Sequence, residues 1–430
     1  MKELLKSSNW IAGLQWLFFI FANIVVIPIT VGAAFELTPG KIVSLLQLSF
    51  IVTGLACMAQ AFLGHKRAIM EGQSGLWWGV ILTLCYSAGS EGMSLSTMGG
   101  SLTVGIIISA ILTILIGITG LGPHLAKLFN PAVMGVFMFL LGTKLITIFL
   151  KGMLGIPFGQ AKEVHIDLSI SLFSMIIAIL VITISIKAPP SIRRYGLLIG
   201  IIVGWIFYTL IFKTKGPVSP ATSIHFELFP LGKPAWDIGI IITAVFTGLL
   251  NTANTFGALK GTDPLYKAET THSQYKSSFI ITGIVNGIAG VLGLVPYAPY
   301  VSSIGFLSQT GIMKRTPFIL GGLMFFVMGI IPSIGHLFSK LPLSIGSAVL
   351  FVAYLQLLNS SWKFFQMVQF HTQNIYRSAI PLFVGIVVMS LPTSYFVTLP
   401  AGIRPLLSSG LLVGIFLALL LENLFKWDSL

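Results

Sequence analysis

Apolar runs of about twenty residues, the length a helix needs to cross a bilayer, follow one another along almost the whole of this chain. Short connections between them carry most of the charge. Such a chain can satisfy its backbone in lipid only by forming helices inside each run. Of the 430 residues only 9% are charged and 55% are hydrophobic, whereas about a quarter of a soluble domain is charged. The chain therefore reads as an all-α polytopic membrane protein. About fourteen transmembrane segments are expected, near 10–33, 41–63, 70–86, 101–119, 128–150, 168–187, 194–213, 237–258, 277–295, 299–313, 316–337, 342–360, 379–397 and 403–426. The first run is too long for a signal-peptide core and is read as a mature span.

A formal net charge of +13 invites a nucleic-acid partner. The basic residues are scattered through the connections, however, which argues against nucleic acid. They sort by side instead. Lys66, Arg67, Lys127, Lys187, Arg193, Lys276, Lys314, Arg315 and Arg377 fall on one side, and Lys41 and Lys233 on the other with Glu36, Asp167 and Glu227. The positive-inside rule then places both termini in the cytoplasm, with the chain in the cell membrane. Cys57 and Cys85 lie in apolar segments and give no disulfide or metal framework. No cofactor is expected.

Two segments depart from the pattern. The stretch LVPYAPYVSSIGF, Leu294 to Phe306, carries Pro296, Pro299 and the pair Ser302–Ser303. Two prolines so close break a helix, and in lipid the freed backbone groups need protein or a water-lined cavity. The third segment, from Glu71 to Gly79, is short, glycine-rich and polar. Both read as a short strand continued by a half helix. They occupy position three in each set of seven segments, and seven spans invert the second set. Two inverted seven-span repeats with matched broken segments point to a transported solute bound at the mid-membrane level. Ordinary proline kinks are the simpler reading of either break taken alone.

Ionisable residues within spans are costly and functional by default. Glu71 opens the third segment, either pairing with Arg67 or reaching a cavity. Glu91 and Glu422 suit solvated or headgroup positions, and Asp237 begins the eighth segment. Lys144, deep in the fifth run, can snorkel to the outer headgroups. His124 and His336 read as structural. The eighth segment, AVFTGLLNTANTFGALKGT, sets Asn251, Asn254 and Thr255 on one helical face. Such a face can bond neighbouring helices or a neutral planar ligand with alternating donors and acceptors.

Several segments resemble the nucleobase–ascorbate transporters, the nucleobase:cation symporter-2 or xanthine/uracil permease family. GLQWLFFIFANIVVIP looks like that family's glutamine-histidine opening with Trp16 in place of the histidine. LFNPAVMG (Leu128 to Gly135) resembles its fifth segment, and LPLSIGSAV (Leu341 to Val349) its twelfth. Pro296, Tyr300, Ile304 and Gly305 follow its tenth. The resemblance implies a core domain, residues 1–125 and 237–338, moving against a gate domain, 126–236 and 339–430. It implies substrate held between the broken segments and segment eight, at Gly75, Trp77, Asn251, Asn254, Thr255, Val301, Ser302 and Ser303. A permease for a purine or pyrimidine such as uracil or xanthine, driven by H+ or Na+ symport, is then expected, with a homodimer as a further family-based expectation.

The departures concern charge. The family usually carries a glutamate in segment eight and often an acid in segment ten. Here those positions fall on Asn251 and Ser302, with Thr255 where a uracil permease has histidine and Gly75 where an aromatic contact is expected. Cation coupling, if present, must use another acid, and Glu71 is the candidate. An anion transporter of the same seven-plus-seven architecture is the alternative. A membrane-embedded enzyme would need a nucleophile–base pair or a metal cluster, and neither HExxH nor a paired intramembrane Asp motif is present.

Overall fold

The computed structural model describes residues 6–90, 92–156, 165–193, 195–212, 226–372, 374–425 and 427. Glu91 lies outside them. In the first half, α1 (Ser7–Ile24) and α2 (Val26–Ala34) make the first span, followed by α3 (Pro39–Phe62). Strand β1 (Glu71–Gln73) then leads into α4 (Gly75–Ser90) and α5 (Leu95–Thr119). After α6 (Gly122–Ala126) come α7 (Pro131–Met153), α8 (Leu168–Lys187), α9 (Pro190–Arg193) and α10 (Gly196–Phe212). The second half opens with α11 (Ile238–Tyr266) and α12 (His272–Leu292), then β2 (Tyr297–Pro299) and α13 (Ser303–Thr310). It closes with α14 (Arg315–Ile330), α15 (Pro332–Phe338), α16 (Leu343–Phe365), α17 (Tyr376–Ser390), α18 (Arg404–Leu407) and α19 (Gly410–Leu424).

Local chemistry sets these boundaries. Asn130 and Asp237 cap α7 and α11, accepting from the backbone N–H of Val133 and Ile240 at 3.0 and 2.9 Å. Thr271 and Gln274 form a capping box on α12. Eight helices among the described residues are long and apolar enough to cross a membrane, counting α1 and α2 as one. The eleventh segment differs from the single span expected over 316–337. It turns by 90° between α14 and α15, because Pro332 can start a helix but cannot continue one. The eighth runs past 258 to Tyr266 and tolerates Pro264 near its end.

Helices approach closely where a side chain is missing. A Cβ on Gly54 of α3 would sit 2.6 Å from the Gly322 carbonyl of α14. One on Gly414 of α19 would sit 2.9 Å from the Pro381 carbonyl of α17. Through such contacts α14 packs on α1 and α3, and α5 on α11 and α12. Likewise α7 packs on α16 and α19, and α16 also on α8. Glu422, expected at headgroups, is instead buried in this second group. Its carboxylate accepts from Arg377 at 2.7 and 2.6 Å and from Asn130 at 2.5 Å, with 3% of its side chain exposed. The carboxylate is neutralised by a cation from another helix, which removes the need for water.

Candidate functional site

The two strands cross as an antiparallel pair, with Glu71 opposite Pro299, Gly72 opposite Ala298 and Gln73 opposite Tyr297. All six residues are buried. Facing residues share a side of a sheet, so Glu71, Gln73 and Tyr297 point one way and Gly72 and Ala298 the other. The first side rests on a polar stripe of α3 formed by Ser49, Thr53, Cys57 and Gln60, spaced by four, four and three. Gln73 Nε2 donates to Ser49 Oγ at 3.1 Å, and the Thr53 and Tyr297 hydroxyls lie 3.1 Å apart. Gln60 Nε2 donates to Glu71 Oε2 at 3.1 Å. Helix α12 adds Thr282, donating to Glu71 Oε1 at 2.7 Å, and Asn286, whose Oδ1 accepts from the Tyr297 N–H. Glu71 therefore does not pair with Arg67. That guanidinium turns to α11, meeting Asp263 at 2.6 Å and the Leu259 and Ala268 carbonyls at 2.9 Å.

Asn251 of α11 joins both broken segments. Its Oδ1 accepts from Ser74 Oγ at 2.6 Å, just beyond β1, and its Nδ2 donates to the Tyr297 carbonyl of β2 at 2.9 Å. Asn254 donates to the same Oδ1 at 3.0 Å and keeps its own carbonyl oxygen without a bond among the described residues. Thr255 is buried one position on. Val301 packs where α11 has Gly257, 3.3 Å from a Cβ built there. Ser303 Oγ accepts from the Met70 N–H at 3.1 Å, while Ser302 is exposed at the start of α13. The first turns of α4 and α13 thus both begin where the strands cross. Each turns the positive end of its dipole there. At α4 the first N–H groups have no helix carbonyl to take them, whereas at α13 the Ser303 and Ile304 N–H groups bond the Tyr300 and Val301 carbonyls at 3.1 Å.

The two half helices differ in what covers them. A Cβ on Gly75 of α4 would lie 3.0 Å from Leu145 and 3.6 Å from Tyr354; one on Gly79 would lie 3.4 Å from Lys144. The Lys144 stem therefore packs on α4 between segments. Further along, Lys151 Nζ sits 5.8 Å from the Tyr86 ring. On α13, by contrast, Ser302, Gly305, Ser308 and Gln309 are exposed, and nothing lies within 4 Å of a Cβ on Gly305. On α16, Gln356, Asn359 and Lys363 are exposed at i, i+3 and i+7. Exposed amides of this kind within an apolar helix suit a water-facing surface better than lipid.

The expected residues are thus only partly assembled. Asn251, Asn254, Val301, Ser302 and Gly75 gather at the strand crossing. Trp77 lies on the opposite side of α4 from Gly75, fully buried, its ring 3.4 Å from a Cβ built on Gly248. On the side of the crossing away from Tyr297 lie the rings of Tyr300, 2.9 Å from a Cβ on Gly72, and Tyr354, 3.6 Å from one on Gly75. Trp16 is also buried, packed on Phe306 with centroids 4.3 Å apart. Ser74, Gln60 and Thr282 were not singled out from the sequence. Each is a polar side chain in an apolar run, and that was the signal available.

Comparison with known proteins gives a consistent result. A xanthine/uracil permease model, described as "Permease family", matches residues 7–394. The Bacillus subtilis (strain 168) protein YwdJ is 28% identical over 432 residues, covering 97% of this chain and 96% of its own. Uric acid permease PucJ of the same organism is 25% identical, covering 96% and 92%. Nucleobase transporter PlUacP of Paenibacillus larvae is 23% identical, covering 98% and 95%. Among solved structures, the transmembrane domain of the cyanobacterial bicarbonate transporter BicA aligns with TM-score 0.62 at 14% identity, covering 96% of this chain and 97% of that one. SLC26A9 aligns at 0.63 and 13%, covering 96% and 64%. At these identities the structural likeness shows the fold alone, that of two inverted seven-segment repeats.

Proposed function

Because the chain belongs to the permease family whose model spans residues 7–394, we propose that it carries nucleobases across the cell membrane by alternating access. It is a multi-pass membrane transporter. Its substrate is a planar base held at the strand crossing between the starts of α4 and α13. The observation that carries this reading is the Asn251 bridge, which fixes both broken segments to one side chain. Beside it the free carbonyl oxygen of Asn254 accepts a ring N–H, and the amides of Val301 and Ser302 donate to ring carbonyls. Ser302, Gly75 and the Tyr300 and Tyr354 rings bound the space. Thr255 supports Asn251 from behind. Trp77 holds α4 in place from its far side.

The core comprises residues 1–125 and 237–338, and the gate 126–236 and 339–430. Packing of α4 on α7 closes one side, whereas the exposed stripes of α13 and α16 leave the other open. With both termini in the cytoplasm, this is the inward-facing state. Transport is symport with a cation, H+ or Na+, with Glu71 as the coupling acid, and the protein works as a homodimer.

Uptake of labelled uracil, xanthine, hypoxanthine, guanine and uric acid into proteoliposomes tests the reading. At least one base is expected to enter and to be competed by other bases. Competition by sulfate or bicarbonate, with none by bases, would replace it with an anion carrier.

A further inference from the structure

Glu71 is fully buried, yet among the described residues its carboxylate meets only neutral donors, Gln60 and Thr282. The groups packed around it add no cation. From α3 come Cys57, which donates to the Glu71 carbonyl at 3.3 Å, and Gln60. From α12 come Ser278 and Thr282, and from β2 Tyr297, whose hydroxyl is engaged with Thr53. Arg67 is spent on α11. His65, in the loop before β1, has its imidazole pushed down to about 3 by burial and by Arg67, so it remains neutral. Its Nδ1 accepts from the Arg67 N–H. A buried carboxylate without a counter-charge is a costly arrangement that a single proton would relieve.

Two further observations locate where that proton exchanges in this state. Gln60 Oε1 and Ser278 Oγ, both fully buried, have no hydrogen-bond partner among the described residues. Orphaned buried acceptors of this kind call for an explanation. Directly over Gln60 Oε1 sits Gly64; a Cβ there would fall 1.9 Å from that oxygen. Gly64 also lines a cavity of about 460 Å³, together with Lys66, Arg67, Tyr266, Gln274 and Ser277. Gly64 therefore stands as the thin wall between that cavity and the buried Gln60 amide, whose Nε2 bonds Glu71.

We propose that Glu71 is a proton-binding site behind the strands, which in this inward-facing state exchanges its proton with the cytoplasmic Gly64 cavity and not with the substrate space, and which the substrate reads through β1. The inference rests on the permease reading above. One proton from a hydronium in the cavity forms an O–H bond at Glu71 Oε2, taking the site from one negative charge to neutral. The Gln60 amide then reverses, so that its orphaned oxygen accepts that O–H. A metal ion is disfavoured at the same place. Glu71 Oε2, Thr282 Oγ1 and the Ser278 carbonyl converge at 3.1, 3.0 and 3.3 Å on Gln60 Nε2, whose hydrogens occupy the centre a sodium ion would need. Coupling runs along three residues of backbone, from Glu71 to Ser74 and its bond to Asn251. Whatever strand position substrate favours is felt at Glu71, and the reverse holds equally.

The test uses the full-length protein in proteoliposomes, wild type and Glu71→Gln. Infrared titration without substrate should show a protonated-carboxyl band that vanishes as pH rises and is missing in E71Q. Gly64→Ala should slow deuterium exchange of that band without removing it. Under an inward proton gradient the wild type should accumulate labelled xanthine, while E71Q should exchange xanthine yet only equilibrate it. A band unchanged in E71Q, accumulation by E71Q under the proton gradient, or accumulation by wild type under a sodium gradient alone each overturns the proposal. Should E71Q fail to fold, Thr282→Val serves instead: it should displace the pH midpoint of the band, and an unmoved midpoint overturns the assignment. If no base is transported by wild type, the permease reading fails, while the infrared titration still decides whether Glu71 binds a proton.

Discussion

At the scale of single residues, the polar side chains in spans fall into those with partners on neighbouring segments and those left facing a gap. Asn251 belongs to the first kind, with three hydrogen bonds fixing it between β1, β2 and Asn254. Removing it strands the Ser74 hydroxyl and the Tyr297 carbonyl, a loss of about 1–3 kcal/mol. Asn251→Ala should therefore weaken base binding by about tenfold or more, read by equilibrium binding to purified protein. The Arg377–Glu422 pair is largely buried too, with 10% and 3% of its side chains exposed. Breaking such a pair costs about 3–5 kcal/mol, so Arg377→Ala should lower the thermal unfolding midpoint in detergent markedly. Asn251 was legible in the sequence because an amide stands out in an apolar run. The fate of Glu422 was not, since its partner lies on a different segment and only tertiary packing brings them together.

At the scale of elements, glycine positions separate tight crossings from open faces. Gly54 touches the backbone of α14, and a larger residue there overpacks the crossing, typically by about 1–3 kcal/mol. Gly54→Val should reduce stability and the yield of monodisperse protein. Gly305, with nothing within 4 Å of a Cβ, should accept valine with stability unchanged. The pair of substitutions checks the faces directly. The strand–half-helix character of segments three and ten was readable from Pro296, Pro299 and the glycine-rich stretch after Glu71. The polar stripe of α3 that supports the strands is not legible in the sequence, because Ser49, Thr53, Cys57 and Gln60 gain meaning only once β1 and β2 lie across them. The bend at Pro332 was hidden by the apolar residues flanking it, which read as one continuous span.

At the scale of the whole molecule, the inverted repeat makes α4 and α13 counterparts, yet among the described residues α4 packs on α7 whereas α13 packs chiefly on α11. That asymmetry is what one end state of alternating access looks like. Cysteines placed at Ser302 and Asn359 should react with a membrane-impermeant maleimide from the cytoplasmic side, and one at Gly79 should not. The native Cys57 and Cys85 are buried and contribute little background. Reaction at Gly79 with none at Ser302 would reverse the assigned state. The seven-plus-seven architecture was legible from segment count and charge bias, since hydropathy and loop charge report it directly. The placement of Glu71 against α3 and α12 was not, because it depends on which side of a three-residue strand a carboxylate points.

The central claim is that a base binds at the strand crossing held by Asn251. Equilibrium binding of tritiated xanthine and uric acid to purified wild type and Asn251→Ala tests it most directly. The account predicts saturable binding of at least one of these bases to the wild type, lost or weakened by about tenfold or more in the variant, with sulfate failing to compete. Equal affinity in both proteins, or displacement by sulfate but not by other bases, would contradict it.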